Sequence, residues 1–502
     1  MVQLRLFGLD SLERKRSKDL IRESFSHNEV CGQDARLLLE DKYGSLLEET
    51  HEFNRRLVSY QGNKKASIHS WIKYREGFSA KLVEKLIDQA EIGPGETILE
   101  PFCGSATTLL TAKMLGIDAV GIEILPLCHL MWEAKDHIFK YDLEELQLVK
   151  SLVAEIPPGC SAHNFQHLVI TKGAFSSQNE SDLLFYTEWI ETLEVSEPTK
   201  TLFRLLLTSI LEEISYTRKD GQYLRWDHRS EKVQQRNLTR ISQGKKPFKK
   251  FNKGNILSVK EALCRALGSV IEDINKLQKR SIPEDSQQTL LKGSALQILP
   301  SVEADQFHGV ITSPPYCNRY DYTRTYALEL AYFGVGEAGI RDLRQSQLSC
   351  TVENRSKVSQ LEQHYRSLGL QERYNQIIQV SSTNSALGEI NQALQQRWAR
   401  GEINNKGILR MVEGYFTELT FIFAELWRVC RRGAQVAFVN DNVRYGGEVI
   451  PVDLLSTDLA AQVGFEPVKV YVLPQRKGNS SQQMGKFGRT ALRKSITIWR
   501  KP

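Results

Sequence analysis

The sequence predicts an α/β protein built on an open, largely parallel sheet with helices on its faces. Three observations carry this. Thr97-Ile98-Leu99-Glu100 is a short apolar strand, followed by a loop of small residues, a helix over 107–115 that Gly116 stops, and a second strand over 118–122 closed by Glu123. Gly309-Val310-Ile311 is an apolar run ending in Thr312-Ser313-Pro314-Pro315-Tyr316, which reads as a buried parallel strand entering a stiff turn. A helix over 411–429, ended by Arg431-Arg432-Gly433, precedes another buried strand over 435–440, and the segments 468–473 and 495–499 form a closing antiparallel pair. Strands alternating with helices in this way imply a sheet covered on both faces.

Bulk properties narrow the class. With 502 residues the chain has room for two to four domains. Hydrophobic residues make up 41% and charged residues 25%, ordinary values for a soluble protein, and the net charge of +6 is a mild basic bias. The eight cysteines are scattered, with no Cys-x-x-Cys pair, which argues against a zinc site or a disulfide framework and fits a reducing cytosol. The first residues lack an apolar run of signal-peptide length, and no window approaches a membrane span. The expectation is a cytoplasmic protein with no metal and no membrane partner.

The chemistry concentrates in two stretches. In Ser313-Pro314-Pro315-Tyr316 the prolines fix two φ angles and remove two amides. What remains is a hydroxyl, carbonyls without competing donors and an aromatic ring: acceptors for an NH2 group and a face to stack on. In Glu100-Pro101-Phe102-Cys103-Gly104-Ser105-Ala106 small residues lead to a helix N-terminus, a crevice that a nucleotide can approach closely, and Glu123 stands near the spacing expected of a ribose-binding acid. Cys103 reads as a small packing residue. Ser79 is a good N-cap for a helix running to about Ala90, with Phe78 before it.

These stretches resemble the amino-methyltransferases of nucleic acids, which move a methyl group from S-adenosylmethionine to an exocyclic nitrogen. Ser313 to Tyr316 resembles the family's motif IV, in the form associated with N4-cytosine enzymes; the Asp-Pro-Pro-Tyr form is more typical of N6-adenine enzymes. Glu100 to Ala106 resembles motif I, with Glu100 in place of Asp and Ala106 in place of the last Gly, a change expected to be tolerated if that residue is already helical. Glu123 matches motif II, Phe78 and Ser79 motif X, and Ser294, where Asp is more usual, motif III. The resemblance implies a Rossmann-like, seven-stranded methyltransferase sheet with large helical and irregular inserts. It implies S-adenosylmethionine as cofactor, held by Phe78, Ser79, Glu100, Pro101, Phe102, Cys103, Gly104, Ser105, Glu123 and Ser294, and catalysis by Ser313, Pro314, Pro315 and Tyr316.

The remaining chain divides around these motifs. Residues 1–66 are expected to be an accessory helical segment. The catalytic domain is expected in three parts, 67–130, 289–334 and 411–502, separated by inserts over 131–288 and 335–410. Between Arg229 and Lys253 there are nine Lys or Arg and one acid, with Phe248 and Phe251 interleaved. Arg229, Arg236, Arg240, Lys245, Lys246 and Lys249 are therefore expected to meet nucleic acid, a solvated basic loop being the alternative. Arg319, Tyr322 and Arg324 after the Pro-Pro-Tyr turn suit an extruded base. Asn442 and Arg444 are expected to reach the target or, for Asn442, to stabilise a loop. Arg476, Lys486 and Arg489 form a third basic stretch. The expected function is DNA N4-cytosine methylation, associated with restriction-modification or defence and with a cognate nuclease as partner. An N6-adenine or RNA guanine-N2 enzyme and a catalytically silent nucleic-acid-binding module are the alternatives.

Overall fold

The computed structural model describes residues 24–474 and 487–502, apart from residues 160, 162, 222, 281, 282, 284 and 489. Its strands in chain order are β1 (Leu47–Glu49), β2 (Thr97–Glu100), β3 (Asp118–Glu123), β4 (Thr217–Asp220), β5 (Tyr223–Trp226), β6 (Gln288–Lys292), β7 (Phe307–Thr312), β8 (Cys430–Asp441), β9 (Val443–Tyr445), β10 (Glu448–Ile450), β11 (Glu466–Leu473) and β12 (Lys494–Arg500). Eight of them form the central sheet in the order β1-β11-β12-β8-β7-β2-β3-β6. All neighbours are parallel except β12, which runs antiparallel to both β11 and β8. No helix among the described residues is long and apolar enough to cross a membrane.

The fold class matches the expectation, with one strand more than the seven implied. The addition, β1, comes from the N-terminal segment and pairs with β11 through Leu47↔Val470 to Glu49↔Val472. Helix Thr107–Leu115 and its stop at Gly116, which is left-handed at φ 72°, follow the sequence reading. Arg431 to Gly433, expected from their charge and the glycine to end the helix, do not. The helix ends at Val429 and these residues open β8.

The sheet order decides where a site can be. From β2 the chain continues outward to β3 and β6, whereas β7 leads to β8 on the other side. β2 and β7 are adjacent, with Leu99 beside Val310, so the order reverses between them. At such a switch point the loops after the two strands part and leave a crevice at their carboxyl ends. The loops that emerge there are 101–106 and 313–316.

The N-terminal segment is also bound by charge. Arg36 donates to Glu389 (2.6 Å) and Glu448 (3.0 Å), and Arg397 reaches Glu448 from the other side (2.6 Å). Arg36, Arg397 and Glu448 are essentially inaccessible to solvent. Glu448→Ala leaves two buried guanidinium groups short of a counter-charge, and we expect a loss of about 3–5 kcal/mol in denaturant unfolding.

Candidate active site

The loop after β2 is shaped by backbone conformation before any ligand is considered. Gly104 has φ 52°, and a Cβ there would lie 3.0 Å from the Tyr74 ring, so backbone conformation and space both favour glycine. Ala106, whose place in the loop is expected to be tolerated if the residue is helical, is instead the left-handed N-cap of helix Thr107–Leu115, at φ 58° and ψ 38°. An alanine in that region costs roughly 1 kcal/mol, which its complete burial offsets. Beside it the buried Lys135 ammonium donates to the Ser105 carbonyl, and burial lowers its pKa to about 8.

Glu123 ties this loop to the end of β3. Its Oε2 accepts from the Gly104 amide (2.7 Å), and its Oε1 accepts from the amides of Ile124 (2.8 Å) and Leu125 (2.9 Å). Burial raises the Glu123 pKa, and the three amides oppose that shift. The side chain is 8% exposed and lines a cleft of about 730 Å³, open mouth included.

That cleft gathers most of the expected cofactor residues. Phe78, Pro101, Phe102, Cys103, Gly104, Ser105, Glu123 and Ser294 line it. Ser313 and Pro315 line the same cleft, so the loops after β2 and β7 share one cavity. Ser294 Oγ is engaged, donating to the Ser346 carbonyl (2.9 Å). Burial pushes the Cys103 thiol pKa well up, which leaves it protonated and consistent with packing.

Two expected residues lie behind the cleft rather than in it. Ser79 caps helix Ala80–Gln89, its Oγ accepting from Leu82 N at 3.3 Å. Glu100 is 1% exposed, and its Oε2 accepts from Thr108 Oγ1 at 2.6 Å. Burial pushes the Glu100 pKa from its ordinary 4.5 to about 8, against the pull of its hydrogen bonds. The folded protein thus holds a proton that the unfolded chain releases, so stability falls as pH rises from about 4.5 to about 8. Glu100→Gln should flatten that part of the unfolding profile, a difference on the order of a few kcal/mol at its upper end.

At the Pro-Pro-Tyr turn Ser313 Oγ donates to Tyr316 Oη (3.2 Å), which leaves the serine lone pairs free to accept from another group. Pro314 is buried. The Tyr316 ring does not line the cleft; it lies under Lys494, whose Nζ is 5.1 Å from the ring centroid and 2.7 Å from Asp441. Burial raises the tyrosine pKa, with Lys494 opposing. Burial works against the Lys494 ammonium, but Asp441 and Tyr316 hold its pKa above the usual lysine value.

The nucleic-acid candidates divide. Arg236, Arg240, Lys245, Lys246 and Lys249 are on or beside helix Glu231–Ser242, which buries no residue. Arg229 is turned to Asp227 (2.8 Å) at the helix base, and Arg324 pairs with Asp321 (3.3 Å) and Glu353 (2.7 Å). Arg319 sits in a turn at φ 67°. Tyr322 is 9% exposed and lines the cleft rather than the outer surface. Asn442 Oδ1 accepts from Asp453 N (3.1 Å), a loop-stabilising contact, and Arg444 is largely buried against Thr490. Arg476, Lys486 and Arg489 lie outside the described residues.

Sequence reasoning missed Tyr74, Glu76 and Ser346 to Leu348 as cleft walls. Tyr74 stacks on Tyr326 at 5.1 Å and 8°, and Glu76 accepts from Tyr326 Oη at 2.8 Å. The first two lie just before Phe78 and could have been found from that proximity; the last three have no local signal.

A mostly parallel sheet of this order, with an acid closing β3 and a cleft at the switch point, is consistent with an α/β methyltransferase fold. The comparisons agree. A DNA methylase family model matches residues 14–130. The type II methyltransferase M.BsoBI of Geobacillus stearothermophilus is 58% identical over 97% of this chain and 96% of its own length. M.AvaI of a Nostoc strain, also a type II methyltransferase, is 39% identical over 92% of each chain. M.MjaII of Methanocaldococcus jannaschii is 33% identical over 22% of this chain and 20% of its own. The chain belongs to the type II DNA methyltransferases.

Proposed function

We propose that this protein transfers a methyl group from S-adenosylmethionine to the exocyclic N4 of cytosine in DNA, as the modifying enzyme of a cytoplasmic restriction-modification pair with a cognate nuclease. The observation that carries the reading is the single cleft lined both by Glu123 with the 101–105 loop and by Ser313 with Pro315. The choice of N4-cytosine rests on the Ser-Pro-Pro-Tyr form of the turn.

The residues present fit the cofactor. Glu123 offers its remaining acceptor site, on Oε2, to a ribose hydroxyl, and Phe102, Ile124 and Leu125 supply apolar walls for a purine. When bound, S-adenosylmethionine supplies an electrophilic methyl on a sulfonium. The chain supplies the rest. A base extruded from the duplex, at a cost of a few kcal/mol, stacks on Tyr316. Ser313 Oγ and the Pro314 carbonyl accept hydrogen bonds from the two amine hydrogens, which aims the nitrogen lone pair and stabilises charge as the N–C bond forms and the S–C bond breaks, its electron pair staying on sulfur and one amine proton leaving to solvent. Pro314, which is buried, and Pro315, which is half-buried, carry no amide to compete for those acceptors.

Nucleoside mass spectrometry of DNA treated with the protein and S-adenosylmethionine tests this. N4-methylcytosine is the expected product; N6-methyladenine, or no modified nucleoside, would contradict the reading.

A further inference from the structure

Residues 229–254 form an arm that has no core of its own. Helix Glu231–Ser242 has 12 residues, none buried, and an isolated helix of that length is marginal in water. Among the described residues the arm is fastened at its base. Inaccessible Asp227 accepts from the Arg229 guanidinium (2.8 and 3.0 Å) and from the Lys253 amide (2.8 Å), closing the two ends together. The Lys253 ammonium donates to the carbonyls of Ser215 (2.6 Å) and Thr217 (2.8 Å), and that of Lys232 donates to Val169 O (3.0 Å). These three cations are used internally.

Beyond the base the arm carries Arg236, Arg240, Lys245, Lys246, Lys249 and Lys250, with no acid after Glu231. Among them stand large apolar side chains in water: Leu238 is 67% exposed, Ile241 56% and Phe248 50%. Leu238 and Ile241 are three apart and share a helix face. Phe248 is held in place, its amide donating to Asn237 Oδ1 (2.9 Å) and its ring lying 4.3 Å from the Arg240 guanidinium. The arm also faces the catalytic side. Lys232 and Arg236 line one wall of an open cleft whose other wall includes Thr323 and Arg324, which follow the Pro-Pro-Tyr turn.

A partner for this surface must be a polyanion that also offers apolar contacts in a space as wide as a helix. The major groove of duplex DNA meets all three conditions: phosphates on both rims, a width that admits an α-helix, and thymine methyl groups and base edges on its floor. We propose that the 229–254 arm enters the major groove of the DNA substrate, with Leu238, Ile241 and Phe248 against base edges and the six outer cations on phosphates, and so sets which sequence is methylated. This rests on the DNA methyltransferase reading.

Two variants separate the roles. Replacing Arg236, Lys246, Lys249 and Lys250 together by Gln should lower the slope of log affinity against log salt by about 0.9 for each phosphate the variant no longer neutralises, measured on a random-sequence duplex. Replacing Leu238, Ile241 and Phe248 together by Ser should leave that slope unchanged and reduce the preference for the methylated site over other sites by roughly tenfold or more. Unchanged S-adenosylhomocysteine binding shows that each variant is folded. An unaltered salt slope in the first variant, or an unaltered site preference in the second, would overturn the proposal. The underlying reading fails separately, if the unsubstituted protein methylates no DNA, because the slope is read from binding alone.

Discussion

Ser313→Ala and Tyr316→Ala each reduce DNA methylation by roughly 10²–10³-fold or more while leaving cofactor affinity close to that of the unsubstituted protein. The expectation follows from position. Ser313 lines the cleft and its own hydroxyl proton is given to Tyr316 Oη, so the role proposed for it is to accept. Alanine removes that acceptor where the reacting nitrogen must be held, and nothing else in the turn replaces it. Tyr316 lies outside the cleft lining, so its loss takes away the stacking face and the partner of Ser313 without touching the walls around Glu123. Tyr316→Phe keeps the ring and loses only the hydroxyl, and should fall between. The checks are single-turnover methylation and calorimetric binding of S-adenosylhomocysteine. Loss of cofactor binding in both alanine variants would contradict the division of labour.

Glu123→Ala should have the opposite signature, with cofactor affinity falling by roughly a hundredfold or more and stability falling with it. One carboxylate holds the amides of Gly104, Ile124 and Leu125, and each donor left unsatisfied in a buried site costs about 1–3 kcal/mol. The Gly104 hydrogen bond is the consequential one. It fastens a loop whose left-handed residues, Gly104 and Ala106, have no regular ladder to hold them. The variant therefore loses a ligand acceptor and the shape of the loop together. Binding calorimetry and the denaturant midpoint measure the two parts. A Glu123→Ala protein with unaltered cofactor affinity would remove Glu123 from the site.

Both expectations are legible in the sequence because they rest on local signals. A strand, a run of small residues, a helix stopped by Gly116 and an acid at the end of the next strand are written within about two dozen positions, and Pro314-Pro315 can only be a stiff turn. What cannot be read there depends on contacts far along the chain. β1 is Leu47-Glu48-Glu49, a charged edge segment with no apolar alternation, and only its pairing with β11 makes it a strand. Ser346 to Leu348 close the cleft because Ser294 bonds back to Ser346, across fifty-two positions. Ala106 looks helical by its neighbours and is left-handed because the loop must turn there. Arg229 looks like its basic neighbours, but a buried Asp227 two residues away claims it. Composition marks the arm as basic; only the fold separates the cations that hold it from those it presents.

The most direct measurement is a crystal structure with S-adenosylhomocysteine bound. We expect the ribose hydroxyls within hydrogen-bonding distance of Glu123, and the sulfur turned toward Ser313 and Pro315 in the same cleft. A ligand seated in another cavity, or one in this cleft with its sulfur directed away from Ser313, would contradict the proposed meeting of cofactor and target amine.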